Sequence, residues 1–119
     1  MNVEALKQAV CDRVDALAPR LVHASRAIHA NPELGYEEHF AHDLLAGLIE
    51  EQGLTAQRGA WGVPTAFDAS AGSAGPTIAV LCEYDALPGI GHACGHNVIA
   101  AAGLGAGLAA AAVAEQAGG

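Results

Sequence analysis

Two acids, Glu83 and Asp85, are followed within one short stretch by His92, Cys94 and His96 at alternate positions. On a helix, His92 and His96 would share a face and Cys94 would point away. In a looped backbone all three can converge, and Gly89, Gly91 and Gly95 favour a loop. A soft thiolate next to imidazole suits Zn²⁺ or a related divalent metal. Glu83 and Asp85 would then supply hard ligands or orient the ring ligands from behind. Each residue has other uses. Cys94 can be a thiolate nucleophile activated by His92 or His96, or simply a small packed side chain. The acids can do no more than solvate the end of a strand. For Cys94 we rank metal ligation first, nucleophilic attack second and packing third.

The remaining candidates read as structural. His23 and His29 fall in the first helical region, and His39 and His42 are placed on the surface of a second helix, where their i, i+3 spacing lets them meet. Cys11 and Cys82 read as packing residues. Trp61, between Gly59 and Gly62, reads as a loop anchor.

These residues need elements to position them. Val3, Leu6, Val10, Val14 and Leu17 recur at helical spacing, and the pattern continues past Pro19 to about Ala30. Pro19 either kinks one long helix or opens a second at its first turn. Asn31-Pro32 ends the run, because the residue before a proline is pushed out of the α region. A second helix is expected to begin at Glu37 and Glu38, whose carboxylates favour the positive end of its dipole. Its apolar stripe is Phe40, Leu44, Leu45, Leu48 and Ile49, with Gly53 as its stop. Strands are expected over Leu54–Arg58, Val63–Ala69 and Thr77–Tyr84. The last reads most clearly, as a central buried strand ending in Glu83-Tyr84-Asp85, and ligands of open α/β sheets bind beyond such carboxyl ends. After a Gly/Pro-rich loop an Ala/Gly helix runs to about Gln116. The order helix, helix, strands, loop, helix predicts an α/β layered domain.

Composition narrows the classes. A chain of 119 residues holds one small domain. A net charge of -8 with only five Lys and Arg argues against nucleic acid, whose phosphates are met by basic side chains. Three cysteines make a poor disulfide framework and point to a reducing compartment. With no apolar leader after Met1, a cytoplasmic location is expected. Val98 to Ala114 is uncharged and carries a Gly103/Gly107 pair of the GxxxG type. It lacks aromatic or basic anchors, so it reads as a buried helix and no membrane span is expected.

The stretch Leu81-Cys82-Glu83-Tyr84-Asp85-Ala86-Leu87-Pro88-Gly89-Ile90-Gly91-His92-Ala93-Cys94-Gly95-His96-Asn97 resembles the amidohydrolase branch of the aminoacylase/carboxypeptidase zinc metallopeptidase family. That branch includes aminobenzoyl-glutamate hydrolases, indole-acetyl-amino-acid hydrolases and related dipeptidases. The run His29-Ala30-Asn31-Pro32-Glu33-Leu34-Gly35-Tyr36-Glu37-Glu38 is similar to its N-terminal signature. The resemblance implies a three-layer α/β/α catalytic domain holding two divalent metals (Zn or Mn, with Co also suited), of which residues 1–119 would be the N-terminal portion, without the lid or dimerisation domain. It implies Cys94 and His96 as metal ligands and Asp85 as the catalytic acid that orients and tunes the site. Glu83 stands where the branch usually has Asp and where more distant relatives have a ligand histidine. The implied reaction is metal-dependent hydrolysis of an amide bond in an N-acyl amino acid or dipeptide by a homodimeric enzyme. The base would come from a Glu-Glu pair further downstream. The alternatives are a cysteine hydrolase using Cys94 and a metal-binding fragment without catalysis. The 119-residue chain alone is expected to be inactive and, with a sheet edge left unpaired, marginal in stability.

Overall fold

The computed structural model describes residues 2–119. Helix α1 (Val3–Ala30) runs without a break through Pro19. Asn2 caps it, accepting from the Ala5 N–H at 3.1 Å, and Asn31 closes it by donating its side-chain N–H to the Ala27 carbonyl at 2.9 Å. At about 1.5 Å per residue this helix alone accounts for most of the longest dimension, 49 Å. Its buried residues are Leu17, Ala24 and Ile28; in its first four turns Leu6, Val10 and Val14 of the apolar stripe are only half-buried and Val3 is exposed.

Helix α2 (His39–Glu51) buries Leu45, Leu48 and Ile49 as its periodicity requires. It ends at Gly53, which takes positive φ and donates to the Glu50 carbonyl. A hairpin follows: β1 (Gln57–Arg58) pairs antiparallel with β2 (Phe67–Asp68), with a 3₁₀ turn over Ala60–Gly62 between them. Both strands are shorter than the expected Leu54–Arg58 and Val63–Ala69. Helix α3 (His96–Ala111) closes the fold and lies mainly along α1. Leu17, Ile28, Leu45, Ile49, Leu104 and Leu108 form the core with Tyr84. The chain is a mixed α/β layer, as expected. No helix among the described residues is long and apolar enough to cross a membrane.

The clearest sequence-based strand is not one. Among the described residues, no backbone group of Thr77–Tyr84 enters a backbone hydrogen bond, and Ile78 and Leu81 are exposed. The apolar run is real, but no neighbouring strand is placed to pair with it. Three smaller expectations also fail. His42 is buried, not on the surface, and its Nε2 meets the Ala66 carbonyl at 3.1 Å. Cys11 is exposed and packs nothing, whereas Cys82 does pack against the core. Trp61 anchors nothing: it is 85% exposed.

What holds Thr77–Tyr84 from one side is α3. A Cβ on Gly103 would lie 2.5 Å from the Leu81 carbonyl oxygen and 3.1 Å from Cys82 Sγ, whereas one on Gly107 would meet nothing. The GxxxG pair therefore divides into one glycine that permits close approach and one that does not. Burial pushes the Cys82 thiol up to about 11, as expected of a side chain wedged there. Replacing a helical glycine by alanine gains about 1 kcal/mol, while forcing a methyl group into a filled contact costs about 1–3 kcal/mol. Gly107→Ala should raise the melting temperature. Gly103→Ala should lower it, because the clash is with backbone that cannot rotate away.

Candidate functional site

The site begins at Glu33. Its carboxylate accepts the Phe40 N–H at 2.8 Å and the Ala41 N–H at 2.9 Å, so it caps α2 from outside the helix. Glu38, at the N-cap position where the sequence places the acid, makes no such bond. The Glu33 main-chain carbonyl accepts the Ala86 N–H at 2.7 Å. One residue thus fastens the start of α2 to the backbone directly after Asp85. Pro32 lies against Gly91, and Leu87 donates to the Gly91 carbonyl at 2.9 Å, which closes the loop on itself. The two sequence motifs pack against each other.

From the far end, Asn97 donates to Ser25 Oγ at 3.1 Å and ties the first turn of α3 to α1. Gly95, in left-handed conformation, turns the chain from the loop into that helix. His96 is its first residue, and both acids reach its ring. Nδ1 lies 2.9 Å from the Asp85 carbonyl oxygen and 2.9 Å from Asp85 Oδ1. Nε2 lies 3.3 Å from Glu83 Oε2. Both acids therefore converge on His96.

This geometry constrains the ring. With Nδ1–H donated to Asp85, a neutral imidazole presents the Nε2 lone pair to the Glu83 carboxylate, and two acceptors face each other. A metal ion placed between them would remove the conflict. Backbone carbonyl and carboxylate behind Nδ1 are the partners that orient a metal-binding histidine. Cys94 lies exposed on the loop two residues earlier and offers a thiol in sequence reach of the ring. Thiolate, imidazole and carboxylate make a donor set suited to Zn²⁺. The fit is to part of a site: among the described residues, no group of three or more His, Cys, Asp or Glu side chains could hold a metal ion.

His92 sits apart from that convergence. It is buried, neither ring nitrogen has a partner, and its ring lies 6.5 Å from that of His29. Burial first, and then the neighbouring His29 and His96, hold it below the ordinary imidazole range. As for a nucleophile, Cys94 has no hydrogen bond to either histidine. The sequence reading missed Glu33 as a cap. Its only signal was an acid just before a helix start, and Glu37 and Glu38 stood closer to that start.

No family model matches the chain. Individual proteins do. The Xaa-Arg dipeptidase of Mus musculus is 44% identical over 117 residues, covering 90% of this chain and 27% of that protein. Its counterpart in Homo sapiens is 46% identical over 123 residues, with 90% and 28% covered. A p-aminobenzoyl-glutamate hydrolase polypeptide of Escherichia coli (strain K12) is 32% identical over 124 residues, with 90% and 26% covered. The chain therefore spans about a quarter of the length of these relatives. All three are peptidases or amide hydrolases by name.

Two stability measurements check the geometry. Glu33→Ala removes the cap and should cost about 0.5–2 kcal/mol in urea unfolding; an unchanged midpoint would mean the α2 N–H groups find other partners. His92→Leu deletes two unsatisfied buried nitrogens and should be neutral or stabilising. A loss on the order of 2 kcal/mol or more would show that the ring is hydrogen-bonded after all.

Proposed function

We propose that this chain, a relative of the amidohydrolase branch of the aminoacylase/carboxypeptidase metallopeptidase family, contributes part of the metal site of an enzyme that hydrolyses the amide bond of a dipeptide or N-acyl amino acid. The observation that carries the reading is the clamp on His96: Asp85 takes Nδ1 with both its carbonyl and its carboxylate, and Nε2 is left facing Glu83. In this reading His96 Nε2 and Cys94 Sγ are ligands. Asp85 fixes the orientation of the ring. Glu83 sits beside the same nitrogen and adds an oxygen donor or holds a proton there.

Bound divalent metal would supply Lewis acidity toward the amide carbonyl and lower the pKa of a water molecule. Zn²⁺ and Mn²⁺ are the first candidates, Co²⁺ the next, because mixed S, N and O donors suit all three. Two such ions per full site, a homodimer and a cytoplasmic setting are part of the same proposal. The remaining ligands and the base that takes the water's proton are assigned to residues outside these 119. The relatives' lengths support that assignment. Taken alone, the chain should bind metal weakly and hydrolyse nothing. By name, two of the relatives act on Xaa-Arg dipeptides and the third on p-aminobenzoyl-glutamate, so the substrate of this chain lies among small amides of amino acids.

Metal content decides the ligand assignment. In a protein that contains this chain and takes up zinc, Cys94→Ser and His96→Ala should each lower the bound metal measured by atomic emission, while Cys11→Ser should not. Full metal in both ligand variants would sink the assignment. Asp85→Asn keeps a carbonyl behind Nδ1 and should weaken metal affinity by about 10–100-fold, the range found when such a partner is lost.

A further inference from the structure

Three histidines are set into the fold, and one of them differs from the other two. His42 has Asp43 at Nδ1 (3.2 Å) and the Ala66 carbonyl at Nε2 (3.1 Å). His96 has Asp85 at Nδ1 and Glu83 at Nε2. His92 is 8% exposed and has a partner at neither nitrogen. A neutral imidazole carries one donor and one acceptor, and burying both unmet is unfavourable. A leucine would fill the same place without that cost. A side chain of this kind points to something that completes its bonding, a water molecule or an ion.

Across from it stands a second imidazole. His29 lies in the last turn of α1, exposed, with its ring centroid 6.5 Å from that of His92. That is too far for the rings to touch face to face. It is close to the spacing of two imidazoles that share one ion, whose bonds to nitrogen are about 2.0–2.1 Å. The backbone of His92 is held on both sides: Gly91 before it takes positive φ against Pro32, and Gly95 after it donates to the His92 carbonyl at 3.1 Å. The exposed His29 ring can turn to meet it. The setting also favours a cation. The end of α1 carries the negative end of its dipole, and the Glu33 and Asp85 carboxylates are near enough to act on the His92 ring through charge. Both are engaged elsewhere, Glu33 by Phe40 and Ala41 and Asp85 by His96, so they attract without ligating.

We propose that His29 and His92 form a two-histidine site for a borderline divalent transition metal, Zn²⁺, Ni²⁺ or Cu²⁺. No third His, Cys, Asp or Glu joins them among the described residues, so water completes the coordination. Imidazole selects these ions over Mg²⁺ and Ca²⁺, which take oxygen ligands. The His92 nitrogens are closed off from water, so the ion enters with a turn of the exposed His29 ring. Two protein ligands hold an ion more loosely than three or four, and the site therefore fills and empties with the metal supply. When filled, it ties the end of α1 to the loop that carries Cys94 and His96. It uses neither of those residues, and it stands whether or not the hydrolase reading does.

The test first removes the other candidate ligands. In the 119-residue chain carrying both Cys94→Ser and His96→Ala, Ni²⁺ followed by calorimetry should still bind saturably, and Mg²⁺ should not. Adding His29→Ala or His92→Leu should weaken Ni²⁺ binding at least about tenfold, since loss of even an outer partner of a ligand costs that much. Adding His23→Ala, which removes an exposed histidine from the same helix, should leave it unchanged. If the doubly substituted chain does not fold, the unsubstituted one decides. There Ni²⁺ should raise the melting temperature, as a ligand of the folded state does, and His29→Ala and His92→Leu should each reduce that rise. In EDTA, His92→Leu should melt no lower than the parent chain. No saturable Ni²⁺ binding in the first chain, binding unmoved by both histidine variants, or equal weakening by His23→Ala would overturn the site. A Ni²⁺-induced rise that both variants leave intact would overturn it as well, and so would a lower melt of His92→Leu in EDTA, which would show a bond the ring already makes.

Discussion

The structure depends on the way Glu33 satisfies three backbone groups at once. Its carboxylate takes two N–H groups at the start of α2, and its carbonyl takes the N–H of Ala86. The first turn of any helix leaves N–H groups without intrahelical partners, which a side chain or water must supply. An acid from outside the helix meets that need and also complements the dipole. Because the same residue grips the chain beside Asp85, the position of Asp85 is set by the position of α2. His96 then takes its orientation from Asp85, and α3 begins at His96. A capping requirement and the placement of the His96 ring are thus solved by one connected set of bonds.

Much of this was legible in the sequence, for identifiable reasons. The long first helix, the stripe of α2 and the Ala/Gly helix follow from periodicity, which acts over a few turns and needs no partner. Asn31-Pro32 ended α1 and Gly53 ended α2 through backbone preferences that are equally local. That Glu83 and Asp85 would orient a ring from the loop was readable from residue types, but His92, expected to converge with His96, sits apart from it. What was not legible depends on distant chain. Glu33 caps α2 from several residues before it; His42 is buried because Ala66 happens to lie over it; Trp61 is exposed because the turn that carries it folds outward over a cleft. Local pattern cannot decide any of these.

The arrangement of charge follows from the same geometry. The chain has 13 acidic side chains against five basic ones. Several are spent in ion pairs at the surface, as where Arg58 lies between Asp43 and Glu50. Such exposed pairs contribute little to stability. The acids around His96 and along the cleft have no basic side chain set among them. Their partners are a histidine and a hydroxyl: His96 for Glu83 and Asp85, and Thr65 for Glu38.

The segment Thr77–Tyr84 shows how far such a site can be held without a sheet. Along it the exposure changes sharply: Ile78 is 84% and Leu81 72% exposed, whereas Tyr84 is 7%. The end away from the site has no ladder partner, and only the Gly103 contact presses on its middle. The end at the site has three independent ties, namely Tyr84 to Thr65, Asp85 to His96 and Ala86 to Glu33. Side-chain bonds and a single main-chain bond therefore take the part that a central strand would ordinarily leave to its neighbours. The unpaired N–H and C=O groups of the outer end remain a template for another strand. Pairing there would add rigidity to the segment without changing where Glu83 and Asp85 stand, because their places are already fixed from the other side by α2 and α3.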